Sequence, residues 1–226
     1  MNAAIAPSLA PAREHPTIVF GGQTLTLLPE KAIWWAAQRA LLVADVHLGK
    51  ATAFRMRGMA VPAGATAADL ERINRLIEQT GAERLIVLGD WVHAEPDARL
   101  VAQVTTWRQA HPALEVLLVR GNHDGHMETV PEAWTMQVVT EPMFAGLRLR
   151  HEPQDDPVEP ELAGHIHPAV VMGRGRGDRL RAPIFWVRPR QLILPAFGRF
   201  TGGFNIRPER NERIFAVGPD AVVELP

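Results

Sequence analysis

The sequence predicts an α/β protein in which a parallel sheet is followed by a second, largely β layer. Three observations carry this. Apolar runs at residues 41–44, 85–88 and 116–119 alternate with two amphipathic stretches of helical period, an order that argues for parallel strands joined by right-handed crossovers. Each run leads into a polar group, Asp45, Asp90 or Asn122, as strands do when they deliver side chains to the edge of an open sheet. From Phe144 onward, short apolar runs at residues 147–149, 162–166, 184–187, 192–194 and 214–217 are separated by Pro and Gly.

Taken in order, Thr17–Phe20 and Gln23–Leu28 flank Gly21-Gly22, a pair suited to the positive φ angles of a tight hairpin. Residues 50–64 read as irregular. Thr66 with Asp69 resembles a capping box, opening a helix whose inner face is Leu70, Ile73, Leu76 and Ile77 and whose stop is Gly81. Asp97 caps a second helix with Leu100, Val104 and Trp107 on its inner face, and Pro112 ends it. No composition shift or repeat divides the 226 residues, so residues 17–226 are expected to form one domain behind a flexible tail, residues 1–16.

Composition narrows the function. A formal net charge of -1 does not attract polyanions in bulk, so any nucleic-acid contact must come from local patches. The absence of cysteine excludes disulfides and thiolate metal sites and suits a reducing compartment. Residues 1–15 are rich in Ala and Pro, with no basic start and no long apolar run. They read as neither a signal peptide nor a membrane span, and a cytoplasmic location is expected.

Five polar clusters fall at the ends of predicted strands: Asp45 with His47, Asp90, Asn122 with His123, His151, and His165 with His167. On an extended backbone residues two apart share a face, so Asp45 with His47, and His165 with His167, are each expected to address one target. Carboxylate, amide and imidazole donors without sulfur suit manganese, iron or zinc. The expected arrangement has Asp90 bridging two divalent ions, with Asp45, His47 and His167 on one and Asn122, His151 and His165 on the other. Such ions supply hydroxide near neutral pH and stabilise charge developing on phosphorus. His123 is left to protonate the leaving oxygen, and Asp124 is expected to fix its tautomer and orientation. Five of the nine histidines fall in this set, which argues against coincidence.

Asp45-x-His47, Gly89-Asp90, Gly121-Asn122-His123-Asp124, a lone His151 and Gly164-His165-x-His167 together resemble the calcineurin-like metallophosphoesterase superfamily. The resemblance implies a four-layer sandwich of two mixed β-sheets flanked by helices, and the same metal and acid assignments. The residues from Asp45 to Lys50, Phe54-Arg55, Gly58, Val61-Pro62, Pro168, Leu194-Pro195-Ala196-Phe197 and Phe200-Thr201-Gly202-Gly203 are similar to the ligase-associated DNA damage response endonucleases. That family implies a manganese-dependent phosphodiesterase acting on DNA, associated with a ligase, a helicase and an exonuclease. Trp91 stands where relatives usually carry Leu, a change expected to narrow the pocket.

Ten arginines against three acids between Arg174 and Arg213, interspersed with aromatics, suggest a surface for single-stranded DNA. Arg174, Arg176 and Arg179 are its leading substrate contacts, together with His93, three residues past Asp90. Two other functions fit the same core: a phosphoesterase acting on nucleotides or cyclic nucleotides, and a non-catalytic scaffold for a ligase or helicase. Intact ligands and an acid at His123 argue against the scaffold, and a steep salt dependence separates DNA from a small substrate.

Overall fold

Gly21 and Gly22 close the first hairpin at φ of 51° and 78°, joining β1 (Thr17–Phe20) to β2 (Gln23–Leu28) as their spacing requires. The computed structural model describes residues 15–127, 129–173 and 179–226. Residues 1–14 of the expected tail, and Arg174 and Arg176, lie outside the described residues. Pro16 accepts the Leu27 N–H at 2.9 Å.

The chain continues through β3 (Ala32–Trp35), β4 (Ala40–Val43), α1 (Lys50–Met56), α2 (Ala65–Thr80), β5 (Arg84–Leu88), α3 (Ala98–Ala110), β6 (Glu115–Val119) and β7 (Gln137–Val139). The seven strands lie in chain order across one sheet, antiparallel from β1 to β4 and parallel from β4 to β7. Then follow β8 (Met143–Phe144), β9 (Leu147–Leu149), β10 (Glu161–Ala163), β11 (Pro168–Met172), β12 (Leu180–Val187), β13 (Gln191–Ile193), β14 (Phe204–Asn205), β15 (Arg213–Val217) and β16 (Val222–Leu225). They form a second mixed sheet in the order β14-β11-β12-β13-β10-β9-β8, with β15 pairing β12 and β16.

Alternation along the central strands decides what each face meets. Leu41, Val43, Leu85 and Val87 pack against Leu70, Ile73 and Leu76 of α2 and Leu100, Val104 and Trp107 of α3. Leu42, Ala44, Ile86 and Leu88 face the second sheet and bury Leu149, Leu162, Phe185 and Leu192. The expected pair of mixed sheets is therefore present. The α-helices are few, and α2 and α3 cover the first sheet; the second sheet also holds a small cluster around Val170, Ile184 and Ile214.

Two local expectations are corrected. Residues 50–64 are not irregular throughout, because α1 occupies Lys50–Met56; Ala51 is its only buried residue, so it carries no apolar stripe to read. Thr66 and Asp69 do not cap α2. Gly64 does, in the left-handed region at φ 89°, while the Thr66 hydroxyl accepts the Gly49 N–H at 3.2 Å. Asp97 caps α3 as expected, accepting the Leu100 N–H at 2.7 Å.

Candidate metal centre

The parallel strands β4, β5 and β6 end side by side, so Asp45, Asp90 and Asn122 emerge at one edge of the first sheet. From the second sheet come His151, after β9, and His165 and His167, between β10 and β11. The two edges are joined through main chain: Phe197 N–H donates to Ala44 O at 2.8 Å and Gly198 N–H to Asp45 O at 3.1 Å. All seven residues expected as ligands meet in this seam.

The backbone that aims them is not the expected one. Asp45, His47, Asp90, His165 and His167 all have positive φ, between 49° and 66°. His165 and His167 are therefore not paired on an extended strand, and neither are Asp45 and His47. Left-handed turns point these side chains inward instead, a conformation disfavoured for residues with a Cβ and concentrated at functional sites. Glycines make room for them. A Cβ on Gly89 would overlap the His151 ring, one on Gly121 would overlap Asp90, and one on Gly164 would stand 2.7 Å from Asp45 Oδ2.

Distances separate two groups of donors. Asp45 Oδ1 lies 3.2 Å from His167 Nε2, and Asp90 Oδ2 lies 3.6 Å from His47 Nε2. Around the other oxygen of Asp90, His151 Nε2 is 3.5 Å from Oδ1, 2.8 Å from Asn122 Oδ1 and 3.1 Å from His165 Nδ1. Asp90 thus faces one group with each oxygen. Asp45 also reaches both groups, standing 3.8 Å from His151 Nδ1, but that nitrogen is committed to Leu88 O at 3.0 Å.

This geometry fits a pair of cations. Because Leu88 O only accepts, His151 Nδ1 must carry its proton, so Nε2 presents a lone pair to the Asn122 and Asp90 oxygens. Converging lone pairs repel unless a positive charge lies among them. In the other group, neither nitrogen of buried His47 nor Nε2 of His167 has a hydrogen-bond partner among the described residues, and a cation would take up one lone pair from each ring. His167 Nε2 is near Asp45 Oδ1 but not aligned for a hydrogen bond. Burial, reinforced by Lys50, lowers the His47 pKa to about 2. Its imidazole is neutral, as a ligand must be. Burial also raises the Asp90 pKa above the usual carboxylate range, against the pull of His151.

His123 stands beside this cluster with its ring 4.9 Å from that of His47 and stacked on His93 at 4.8 Å. Its N–H donates to Asp90 Oδ1 at 2.9 Å. Its Nδ1 donates to the His93 carbonyl at 2.7 Å, which leaves Nε2 to exchange a proton. Here the expectation for Asp124 is corrected. Asp124 does not hold the imidazole; its buried carboxylate accepts Val92 N–H at 3.2 Å and Gly121 N–H at 3.0 Å, tying one ligand loop to the next. Burial raises its pKa to about 6.

Among the expected substrate contacts, His93 lines the site, its pKa lowered to about 4 by burial and then by Lys50. Arg179 is exposed and precedes Leu180, which pairs with Met172 at the far end of β11. That is five residues from His167, or roughly 15 Å of strand. Several other arginines of the stretch are engaged within the fold: Arg188 with Glu212, Arg213 with Glu224, and Arg181 with Asn205. Trp91 does not narrow the pocket, because its fully buried side chain packs in the core with its ring 5.9 Å from that of Trp107.

Sequence reading missed a charged cluster behind the site. Arg72 of α2 ion-pairs with buried Asp69 at 3.2 Å, lies 3.7 Å over the Phe197 ring and donates to Phe197 O. Lys31 reaches Gly198 O at 3.4 Å, and burial together with Arg72 lowers its pKa to about 7. These groups hold the segment whose main chain braces Asp45. A helical Asp and Arg three residues apart was the only signal, and it reads equally well as a surface pair.

A model of the calcineurin-like phosphoesterase family matches residues 38–168, a span that contains all seven candidate ligands and His123. Among solved structures, the crystal structure of Pseudomonas putida nuclease MPE aligns over 93% of this chain and 100% of that chain, with 42% identity and a TM-score of 0.80. Yfce, a phosphoesterase from E. coli, aligns over 82% of this chain and 97% of its own, with 15% identity and a TM-score of 0.39. No curated protein matches. Among the described residues, no helix is long and apolar enough to cross a membrane.

Proposed function

This chain belongs to the calcineurin-like phosphoesterase family, and from that premise we propose that it is a dinuclear, manganese-dependent phosphodiesterase that cuts DNA at single-stranded or damaged positions. One observation carries the reading: nitrogen and oxygen donors from both sheets converge on Asp90 beside His123, an imidazole whose orientation is already fixed. The similarity to a Pseudomonas putida nuclease supports nucleic acid as the substrate. In the same reading the protein is cytoplasmic and takes part in DNA repair in association with a ligase, a helicase and an exonuclease; its support is the resemblance of the residues 45–50 and 194–203 to that family.

Asp45, His47 and His167 with one oxygen of Asp90 would hold one ion, and Asn122, His151 and His165 with the other oxygen would hold the second. Two divalent ions supply Lewis acidity to the phosphoryl group and acidify the attacking water. The remaining work falls to the chain. Hydrolysis adds water to phosphorus and breaks one P–O bond, and the departing alkoxide needs a proton. His123 delivers it from Nε2, because Nδ1–H is already committed to the His93 carbonyl. The Asp90 carboxylate, through the His123 main-chain N–H, fixes the acid relative to the donor cluster.

The test begins with chelated protein reloaded separately with manganese, zinc or magnesium. Hydrolysis of bis(p-nitrophenyl) phosphate, p-nitrophenyl phosphate and a single-stranded oligonucleotide is then followed. Asp90→Ala should abolish turnover, and His123→Ala should lower kcat by about 100-fold or more on DNA, with circular dichroism unchanged in both. Unimpaired hydrolysis by either variant would end the assignment, and failure to cut DNA under manganese would remove the nuclease reading.

A further inference from the structure

Phe204 is 66% exposed and, among the described residues, belongs to no apolar cluster, although its neighbour but one, Ile206, is buried in one. Its place is set by the metal-ligand loop. Phe204 N–H donates to His167 O at 2.8 Å, and Phe204 pairs in parallel register with Pro168, the residue that follows His167. Paired strands lie about 4.8 Å apart, so the main chain of Phe204 runs directly beside the loop that carries His167. Gly203 makes this approach feasible, since a Cβ there would come 2.7 Å from the Ala169 Cβ. On the opposite face of the same strand, exposed Asn205 accepts from exposed Arg181 at 2.8 Å.

A large apolar ring kept in water gains stability when another apolar surface covers it, and a flat one covers it best. The π-face of an unpaired base does so without regard to sequence, and a base stacked within a duplex cannot. Resting on the nuclease reading, we propose that Phe204 is the platform for one unstacked base next to the scissile phosphate, and that it thereby selects single strands.

The experiment uses the full chain loaded with manganese, a short fluorescein-labelled single strand, a set of the same strand carrying one abasic residue at each position in turn, and bis(p-nitrophenyl) phosphate. Phe204→Ala should lower the ratio of kcat/KM on DNA to that on the dye by about tenfold, and Phe204→Trp should retain it. In the natural protein one abasic position should slow cleavage by a similar factor, and in Phe204→Ala that position should make no difference. Binding of the intact strand in EDTA, read by fluorescence anisotropy, should weaken in parallel. Equal losses on DNA and dye, or an abasic effect that survives the substitution, would overturn the inference. A fall in sedimentation mass for Phe204→Ala would also overturn it, by assigning the ring to a contact between copies. A natural protein that hydrolyses the dye and leaves the strand intact defeats the nuclease reading instead, and is told apart by needing no variant.

Discussion

Asp124 shows how far a side chain's role can lie from what its neighbours suggest. Its two oxygens each accept one main-chain N–H, from Val92 and from Gly121, while the His93 carbonyl orients His123. Asp124→Asn replaces one acceptor with an NH2 group facing a buried donor, a cost of about 1–3 kcal/mol. Urea unfolding should register that loss. The pH–rate profile on the dye should keep its limbs, and a shift of a full pH unit would return Asp124 to the role of orienting the acid. The candidate donors that converge on Asp90 were legible because Asp, Asn and His at strand ends carry their chemistry in the side chain. The His93 carbonyl was not, since every residue has one and only the fold decides where it points.

At the scale of elements, α2 acts as a strut. Leu70, Ile73 and Leu76 seat it on the first sheet, and Arg72 grips Phe197 from the same helix. Arg72→Met takes the ion-pair partner from buried Asp69 and leaves it Lys31 and Arg199, and breaking a buried pair costs about 3–5 kcal/mol in comparable sites. The double variant Asp69→Asn with Arg72→Met should recover most of that loss in urea unfolding; simple additivity would show that the two side chains are not coupled. The apolar period made α2, and Asp97 made the start of α3, readable in advance. Strands β3, β11 and β16 leave too little alternation to detect, because their place in the sheet sets their burial: β3 is buried along almost its whole length, β11 in one unbroken run, and β16 at Val222 alone. The extended geometry expected of His165 and His167 failed for a related reason: left-handed φ at a non-glycine residue is imposed by tertiary packing and leaves no mark in the sequence.

For the whole molecule, Lys31 makes stability depend on pH. It lies in the turn between β2 and β3 yet contacts Gly198, in the segment between β13 and β14, and its pKa is lowered from 10.5 to about 7, first by burial and then by Arg72. Below pH 7 the amine is charged whether folded or not. Between pH 7 and 10.5 the folded chain has released the proton and the unfolded chain keeps it, so unfolding takes up a proton and stability rises with pH. The slope from this group is at most about 1.4 kcal/mol per pH unit. Lys31→Met should be more stable than the natural protein at pH 7 and show less of this rise by pH 9, as followed by urea unfolding; identical pH slopes would contradict the account. Both sheets and the crossovers of the first were legible as patterns of apolar runs. Contacts spanning some 170 residues, such as that between Lys31 and Gly198, were beyond any local pattern.

The division of donors between the sheets has a consequence for ancestry. Asp45, His47, Asp90 and Asn122 precede β8, whereas His151, His165 and His167 follow it. A gene severed at that seam would yield two products, each lacking donors from both of the groups that meet at Asp90. Descent by joining or exchanging halves at that point would therefore have to bring both donor groups together at once.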